Sequence, residues 1–242
     1  MTAIGDFLQG LVGKLSQLEV EQHEAIEQVA GQVATSIAEG GVLHVFGTGH
    51  SQLVALELCD RAAGLGAVRS IYDPALSPVQ ARRAAATERL AGYAQVVLST
   101  EELRAGETLL IVSNSGVNAV PVDVALAAKE QGLCVVAVTS VAQSTSAPIR
   151  HDSGKRLLDV ADVVIDTGAP AGDGILALDD GAAAGPVSSL LSVAVLHAIT
   201  ARTAELLLAR GHPAPMLVSQ NLDVSDDVND HLYARYADRR GK

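Results

Sequence analysis

The stretch Val42-Leu-His-Val-Phe-Gly-Thr-Gly-His-Ser-Gln-Leu-Val-Ala-Leu-Glu57 decides the fold predicted for this chain. Residues 42–46 predict a buried parallel strand, and Gly47 and Gly49 allow a tight turn before a helical apolar pattern begins. Backbone N–H groups at such a turn, together with the helix dipole, favour an anion, and Ser51 adds a hydroxyl donor. The stretch therefore predicts a site for a phosphate or a carboxylate.

A second segment of strand, polar loop and helix is predicted within residues 108–132. Small hydrogen-bonding residues crowd the place where this helix should begin, namely Ser113, Asn114, Ser115, Gly116 and Asn118. Either loop alone is explained equally well by ordinary helix capping. Two such loops are harder to explain by capping, so a shared anion site is favoured.

Composition narrows the range of partners. The 242 residues are 48% hydrophobic but only 2% aromatic, and the formal net charge is -11. Nucleic acid and anionic membrane surfaces both need clustered Lys and Arg, so neither partner is expected. No window reaches the roughly 18 uninterrupted apolar residues of a membrane span, and no basic segment precedes an apolar run at the N-terminus. We therefore expect a cytoplasmic protein.

The two cysteines, Cys59 and Cys134, lie in apolar segments and lack the spacing of a metal site. We expect both to be buried and reduced. Neither a metal nor a cofactor is predicted.

The N-terminal segment is predicted to be helical. Apolar residues recur at intervals of three and four from Ile4 to Glu39, which predicts one broken helix or two, ended by Gly40-Gly41. Such a helix has no strand of its own to cover and often packs across a subunit boundary. We therefore expect an N-terminal helical extension, residues 1–41, on a domain of residues 42–242, in a homo-oligomer that is a dimer or a tetramer.

Alternating strands and helices predict an α/β fold with a doubly wound parallel sheet. The strands are expected at residues 42–46, 67–72, 108–112, 133–138 and 162–166. Residues 168–185, rich in Gly, Ala and Asp, are predicted to be a loop, and Pro186 is expected to open a helix that runs through Leu208. The polar residues 143–156, with His151, Lys155 and Arg156, predict a lid or binding loop.

Gly47-x-Gly49 also resembles the start of a dinucleotide fingerprint, with Asp73 placed like a ribose-binding acid after the second strand. Gln52 stands where the third glycine would allow close packing of helix and strand, which disfavours a nucleotide cofactor.

The combination of Gly47-Thr-Gly49-His50-Ser51, Ser113-Asn-Ser115-Gly116-x-Asn118 and Thr139-Ser140 resembles the sugar isomerase (SIS) domain superfamily. Within it the chain looks closest to a group of stand-alone SIS-domain proteins related to phosphoheptose isomerase and N-acetylmuramic acid 6-phosphate etherase. Three further motifs carry that likeness: His151-x-Ser-Gly-Lys-Arg156, Gly185-Pro-x-Ser188 and Ser219-x-Asn-Leu-Asp223.

The resemblance implies a flavodoxin-like strand order, 2-1-3-4-5, with both loops at the switch point of the sheet. It also implies that the Ser-x-Ser-Gly loop wraps a sugar phosphate. The expected substrate-binding residues are Gly49, Ser51, Ser113, Asn114, Ser115, Asn118, Thr139 and Ser140.

Two residues are candidates for catalysis. Glu57, six residues past Ser51, is predicted to be a base for a carbon-bound proton, with a solvated helix glutamate as the alternative. His50 is predicted to shuttle a proton during ring opening, with helix capping as its alternative. His44 and His197 are expected to be structural.

Three functions remain open on the sequence. The first is an enzyme that acts on an amino-sugar or aldose phosphate by C2 proton abstraction, through isomerisation or elimination. The second is a regulatory protein that binds a phosphosugar without turnover. The group that this chain resembles carries two adjacent acids where this chain has Leu56-Glu57, and the missing acid at Leu56 favours this second function. The third is an oxidoreductase with a nucleotide cofactor.

Overall fold

Five parallel strands form the central sheet in a computed structural model, which describes residues 2–223 and 225–239. The strand order is β2-β1-β3-β4-β5, which confirms the doubly wound, flavodoxin-like prediction. The strands are β1 (Leu43–Gly47), β2 (Val68–Ile71), β3 (Thr108–Val112), β4 (Cys134–Thr139) and β5 (Val163–Asp166). All five lie within one or two residues of the predicted positions.

The register places the candidate loops side by side. Gly47 at the end of β1 pairs with Val112 at the end of β3, so the chain leaves both strands at the same edge of the sheet. The first loop, residues 47–51, and the second loop, residues 113–118, therefore begin as neighbours at the switch point between β1 and β3.

Helices cover both faces of the sheet. They are α1 (Ala3–Ala38), α2 (His50–Leu56), α3 (Ala81–Thr87), α4 (Tyr93–Leu98), α5 (Ala119–Glu130), α6 (Val141–Ser146), α7 (Leu157–Val160), α8 (Ser188–Ala209) and α9 (Ser225–Arg235). One apolar cluster lies under α1, α2 and α8, and the other lies under α4, α5 and α7.

The prediction of a broken or double N-terminal helix was wrong, because α1 is one continuous helix of 36 residues. Glycine inside a helix costs about 1 kcal/mol relative to alanine. A Cβ at Gly10 would lie 2.9 Å from Cδ1 of Ile175, so this glycine gives room for a close contact. The helix packs along α8 and β5. The division of the chain after residue 41 stays a prediction.

The prediction of a loop over residues 168–185 was also wrong. This segment contains an antiparallel hairpin of β6 (Gly174–Ala177) and β7 (Ala183–Pro186). The small residues of the hairpin do not form the apolar pattern of a strand, so the sequence did not predict it. Packing requires these small residues, because a Cβ at Gly174 would lie 2.9 Å from atoms of both Ala183 and Ala184. Pro186 belongs to β7, and α8 begins at Ser188.

Other expectations need smaller corrections. Residues 143–146 of the predicted polar loop are helical, within α6. Cys59 is exposed and Cys134 is half-buried, so neither is the buried cysteine that was expected. Among the described residues, α8 alone has the length and apolar composition of a membrane span; here it packs against α1 and α2.

A buried cluster of charge lies at the opposite edge of the sheet from the two loops. Glu107 is 3% exposed, and its carboxylate accepts hydrogen bonds from the backbone N–H groups of Val42 (3.1 Å) and Arg104 (3.0 Å). It also accepts from Nε2 of His44 at 2.8 Å and from Nη2 of Arg239 at 2.8 Å. His44 is therefore a core residue, as expected, and Arg239 ties the C-terminal segment to the sheet.

Candidate functional site

The first loop depends on two glycines. A Cβ at Gly47 would lie 2.4 Å from the carbonyl oxygen of Ser51, so only glycine lets α2 start this close to β1. Gly49 has a φ of 58°, and its N–H donates to the carbonyl of Leu76 at 2.8 Å. The turn delivers His50 and Ser51 to the first turn of α2, above the carboxyl ends of the strands.

The second loop is held by its own polar groups. The hydroxyl of Ser113 accepts from the N–H of Gly116 at 3.1 Å. The carbonyl of Asn114 accepts from the N–H of Ser140 at 3.2 Å and from the hydroxyl of Thr139 at 3.3 Å. The end of β4 thus supports the loop that follows β3, and the structure brings Ser113, Asn114, Thr139 and Ser140 together. Their role in substrate binding stays a prediction.

Ser140 supports the backbone more than it offers a ligand contact. Its side chain is fully buried; the hydroxyl donates to the carbonyl of Ala169 at 2.6 Å and accepts from the N–H of Gln143 at 3.0 Å. It therefore caps α6 and fixes the chain after β5.

A cavity of about 370 Å³ opens where the two loops face the start of α8. His50, Ser51 and Asn114 contribute from the loops. The opposite wall is built by the hairpin and α8, through Asp173, Pro186, Ser188, Ser189 and Ser192. Oδ1 of Asn114 is buried and has no hydrogen-bond partner among the described residues, so an acceptor is available at this wall.

The hairpin and α8 were not assigned to the site from the sequence. Asp173 is the residue that positions them: its carboxylate accepts from the N–H groups of Val187 (3.0 Å) and Ser188 (2.7 Å) and from the hydroxyl of Ser188 (2.7 Å). Its φ of 70° is unusual for a residue other than glycine. The motif Gly185-Pro-x-Ser188 was the one signal in the sequence that pointed here.

Both polar atoms of the Asn118 side chain already have hydrogen-bond partners within the protein. Its Nδ2 donates to Oε1 of Glu88 at 2.7 Å, and its Oδ1 accepts from Nη1 of Arg150 at 3.4 Å. The other oxygen of Glu88 accepts from the hydroxyl of Thr48 in the first loop at 2.7 Å. Glu88 and Arg150 thus contact residues of the two loops, and the sequence did not reveal either contact.

Glu57 lies just past the end of α2 and pairs with two groups. Nη1 of Arg61 is 2.9 Å and Nε2 of His197 is 3.5 Å from its Oε1, and about a third of the Glu57 side chain is exposed. Six residues of helix advance about 9 Å, so Glu57 lies about that far along α2 from Ser51. The structure brings together Glu57 and His197, which the sequence had assigned to different roles.

The predicted lid residues have other contacts. Nε2 of His151 is 2.8 Å from Oδ1 of Asp123 on α5. The guanidinium of Arg156 donates to the carbonyls of Ser144 (3.0 Å) and Ala147 (3.2 Å), so it holds its own loop in shape.

Lys155 lies in a separate surface hollow beside α5 and α7. Arg150 is therefore the cation of this segment that contacts the second loop.

The hydrogen bonds of Asp73 argue against the alternative of a dinucleotide cofactor. Its Oδ1 accepts from the N–H of Ala75 at 2.7 Å, and its Oδ2 accepts from the hydroxyl of Tyr93 at 2.9 Å. Burial and the Asp73 carboxylate raise the pKa of Tyr93, so this phenol stays a donor. A carboxylate already occupied in this way is a poor partner for ribose hydroxyls.

Comparison with known proteins identifies relatives over nearly the whole chain. Residues 6–140 match the SIS domain family. A UPF0309 protein of Brucella anthropi is 39% identical over 243 residues, which cover 99% of this chain and 98% of that protein. The UPF0309 protein lin2794 of Listeria innocua is 33% identical over 238 residues, covering 98% and 96%. These matches confirm the resemblance seen in the loop motifs.

Solved structures confirm the fold. Phosphoheptose isomerase GmhA from Neisseria gonorrhoeae has a TM-score of 0.56 at 19% identity, covering 84% of this chain and 97% of that one. The Vibrio vulnificus NanR protein, solved in complex with ManNAc-6P, has a TM-score of 0.52 at 13% identity, covering 98% and 69%.

Proposed function

Because this chain belongs to the SIS domain family and to its UPF0309 group, we propose that it binds a phosphorylated sugar, an amino-sugar or aldose phosphate, and acts on it by abstracting the C2 proton. One observation carries the proposal. The two loops that end β1 and β3 converge on one cavity, which α8 closes from the opposite side. Its volume of about 370 Å³ suits a small polar ligand.

Phosphate recognition is assigned to the loops. Ser51 at the start of α2 and Asn114 in the second loop line the cavity, and the Ser51 hydroxyl and the Asn114 amide are assigned as phosphate donors. Gly49, Ser113 and Ser115 lie in the same two loops and are assigned to the same phosphate site. Thr139 and Ser140 support the second loop from behind. The fold shared with a phosphoheptose isomerase and with a protein that binds ManNAc-6P supports this ligand class.

Catalysis is assigned to Glu57 and His50. Nη1 of Arg61 lies 2.9 Å and Nε2 of His197 lies 3.5 Å from Oε1 of Glu57, the carboxylate assigned as the base. Glu57 and His197 do not line the cavity, so in this proposal a sugar whose phosphate lies at Ser51 has to extend past Val54 and Ser192, the cavity residues of α2 and α8, to reach them. Glu57 takes the C2 proton, the C–H electron pair forms the C1–C2 double bond, and the C1=O π pair moves to O1, which takes a proton from water. The product is an enediol from an aldose phosphate and the 2-amino enol from an amino-sugar phosphate. His50, exposed at the mouth of the first loop, moves the proton that ring opening requires.

Hydrogen exchange at C2 tests this assignment. Incubated in heavy water with glucosamine 6-phosphate or an aldose 6-phosphate, the wild-type protein should catalyse incorporation of deuterium at C2, read by proton NMR. Glu57→Gln keeps the size of the side chain but removes the base, so exchange should be abolished while calorimetry still shows binding. Glu130→Gln, an exposed acid on α5, is the matched control and should exchange like wild type.

Undiminished exchange in Glu57→Gln would remove Glu57 as the base. A wild-type protein that binds these phosphates and exchanges none of them would be the regulatory binding protein, which the Leu56-Glu57 sequence favours. No binding of any sugar phosphate would overturn the ligand class itself.

A further inference from the structure

We propose that Glu88 is a positioning residue that links the first and second loops and so orders the binding site. The inference rests on the proposed function only for its ligand. Glu88 follows α3 and belongs to neither of the loops that converge on the cavity.

The contacts of Glu88 define the bridge. Oε2 accepts the hydroxyl of Thr48 at 2.7 Å, and Oε1 accepts Nδ2 of Asn118 at 2.7 Å. Its backbone carbonyl accepts the N–H of Val120 at 3.0 Å, in the first turn of α5. Thr48 is 7% exposed and Asn118 is 9% exposed, so both donors are shielded from competing water. One carboxylate therefore sets the separation between the two loops.

Thr48 is well placed to transmit this constraint. It lies between Gly47 and Gly49, whose backbone geometry shapes the start of α2. Glycine on both sides leaves this turn with few conformational restraints of its own, so an anchored side chain between them restores order. Without the anchor, the loop would have to be ordered when a ligand binds, at the expense of affinity.

The electrostatics argue against direct contact between Glu88 and a phosphate. A carboxylate beside a phosphate dianion is repulsive, and the chain already carries a formal net charge of -11. Both oxygens of Glu88 instead face neutral donors, and Asn118 separates it from the guanidinium of Arg150. Glu88 thus acts through the loops.

Two substitutions separate positioning from chemistry. Glu88→Gln preserves the bridge, because its oxygen can accept from Asn118 while its amide donates to the Thr48 hydroxyl. It should therefore bind a sugar 6-phosphate within about threefold of wild type and retain C2 exchange. Glu88→Ala removes both contacts and should weaken binding about tenfold or more, with KM raised more than kcat is lowered.

Thr48→Val serves as the second variant, because it deletes one hydroxyl with little change of volume. If the two residues act as one unit, the effects of Thr48→Val and Glu88→Ala on affinity should be much less than additive in the double variant. Additive effects would contradict the bridge. Loss of exchange in Glu88→Gln with binding retained would make Glu88 a base and overturn the positioning role.

Amide hydrogen exchange of the free protein gives a readout that needs no ligand. Glu88→Ala should accelerate exchange in residues 47–52 and 113–118, and Glu130→Gln should not. Unchanged protection in Glu88→Ala would refute the bridge. If wild type binds no sugar phosphate while Glu88→Ala loses protection in both loops, the ligand proposal fails and the link stands.

Discussion

Replacement of Glu107 by Gln should destabilise the protein more than any exposed ion-pair substitution. The Glu107 carboxylate is 3% exposed and pairs with Arg239 at 2.8 Å and with His44 at 2.8 Å, while two backbone N–H groups also donate to it. Gln cannot accept all four donors and carries no charge. The buried Arg239 guanidinium would then keep only its longer ion pair with the half-exposed Glu102, at 3.8 Å. Breaking a buried pair by removing one partner typically costs about 3–5 kcal/mol.

The pKa of Glu107 gives an independent magnitude. Burial raises it, but hydrogen bonds from His44 and from the backbone N–H groups of Val42 and Arg104, with the charge of His44, outweigh burial and lower it from 4.5 to about 2. At about 1.4 kcal/mol per pKa unit, this difference corresponds to about 3 kcal/mol. The pKa shift reflects the contacts with His44 and the backbone N–H groups, whereas the first figure reflects the pair with Arg239. Each gives a loss of about 3 kcal/mol at neutral pH, which we take as the expected magnitude.

Urea denaturation followed by circular dichroism measures the effect. With a slope of about 3 kcal/mol per molar, the midpoint should fall by about 1 M at equal protein concentration. Glu205→Gln, whose side chain is 69% exposed beside Arg202, is the control and should leave the midpoint unchanged. A shift in Glu107→Gln no larger than that of the control would refute the buried cluster.

The same group predicts a pH dependence. Because the folded-state pKa is depressed, its contribution is fully present above about 4.5 and is lost as the pH falls toward about 2. The difference in stability between wild type and Glu107→Gln should therefore shrink across that window. A difference that stays constant between these values would show that the Glu107 carboxylate is not selectively stabilised in the folded state.

Two further predictions concern the phosphate site and the assembly. If Ser115 binds the phosphate as proposed, Ser115→Ala removes one charge-assisted hydrogen bond, worth about 1.5–3 kcal/mol, and sugar-phosphate affinity measured by calorimetry should fall about tenfold to a hundredfold. Unchanged affinity in both Ser115→Ala and Ser113→Ala would place the phosphate elsewhere. Leu8 and Val12 on α1 are 54% and 62% exposed, which suits burial in a homo-oligomer. Light scattering should show the double variant Leu8→Lys/Val12→Lys as a monomer of 24.9 kDa. Wild type and the control Val79→Lys, at a position that is 88% exposed, should remain oligomeric. An oligomer in the double variant would show that this face of α1 is not the subunit interface.

The parts of the fold predicted correctly are those that local sequence controls. A buried parallel strand is a short apolar run. Gly47 is required by the backbone of Ser51 and Gln52, which are within five residues, and Gly49 is required by its own φ of 58°. The hairpin at residues 174–186 was missed because its strands consist of Gly, Ala, Pro, Ile and Leu without the usual β-branched alternation. Its stability comes from packing on α1, where Phe7 lies against Gly185, and a local pattern does not reveal such a contact.

In the candidate site too, the residues that local sequence positions could be predicted, and those that long-range packing positions could not. Ser51, Asn114 and their neighbours follow strands that are adjacent in the sheet, so the sequence could predict that they meet. Glu88, which links the two loops, directly follows α3, and His197, beside Glu57, belongs to α8. The positions of these two helices depend on long-range packing. Loops at strand ends therefore indicate which ligand class can bind. The chemistry depends on which acids and bases other elements bring to those loops, so tests of function in this chain should begin with Glu57, His197 and Glu88.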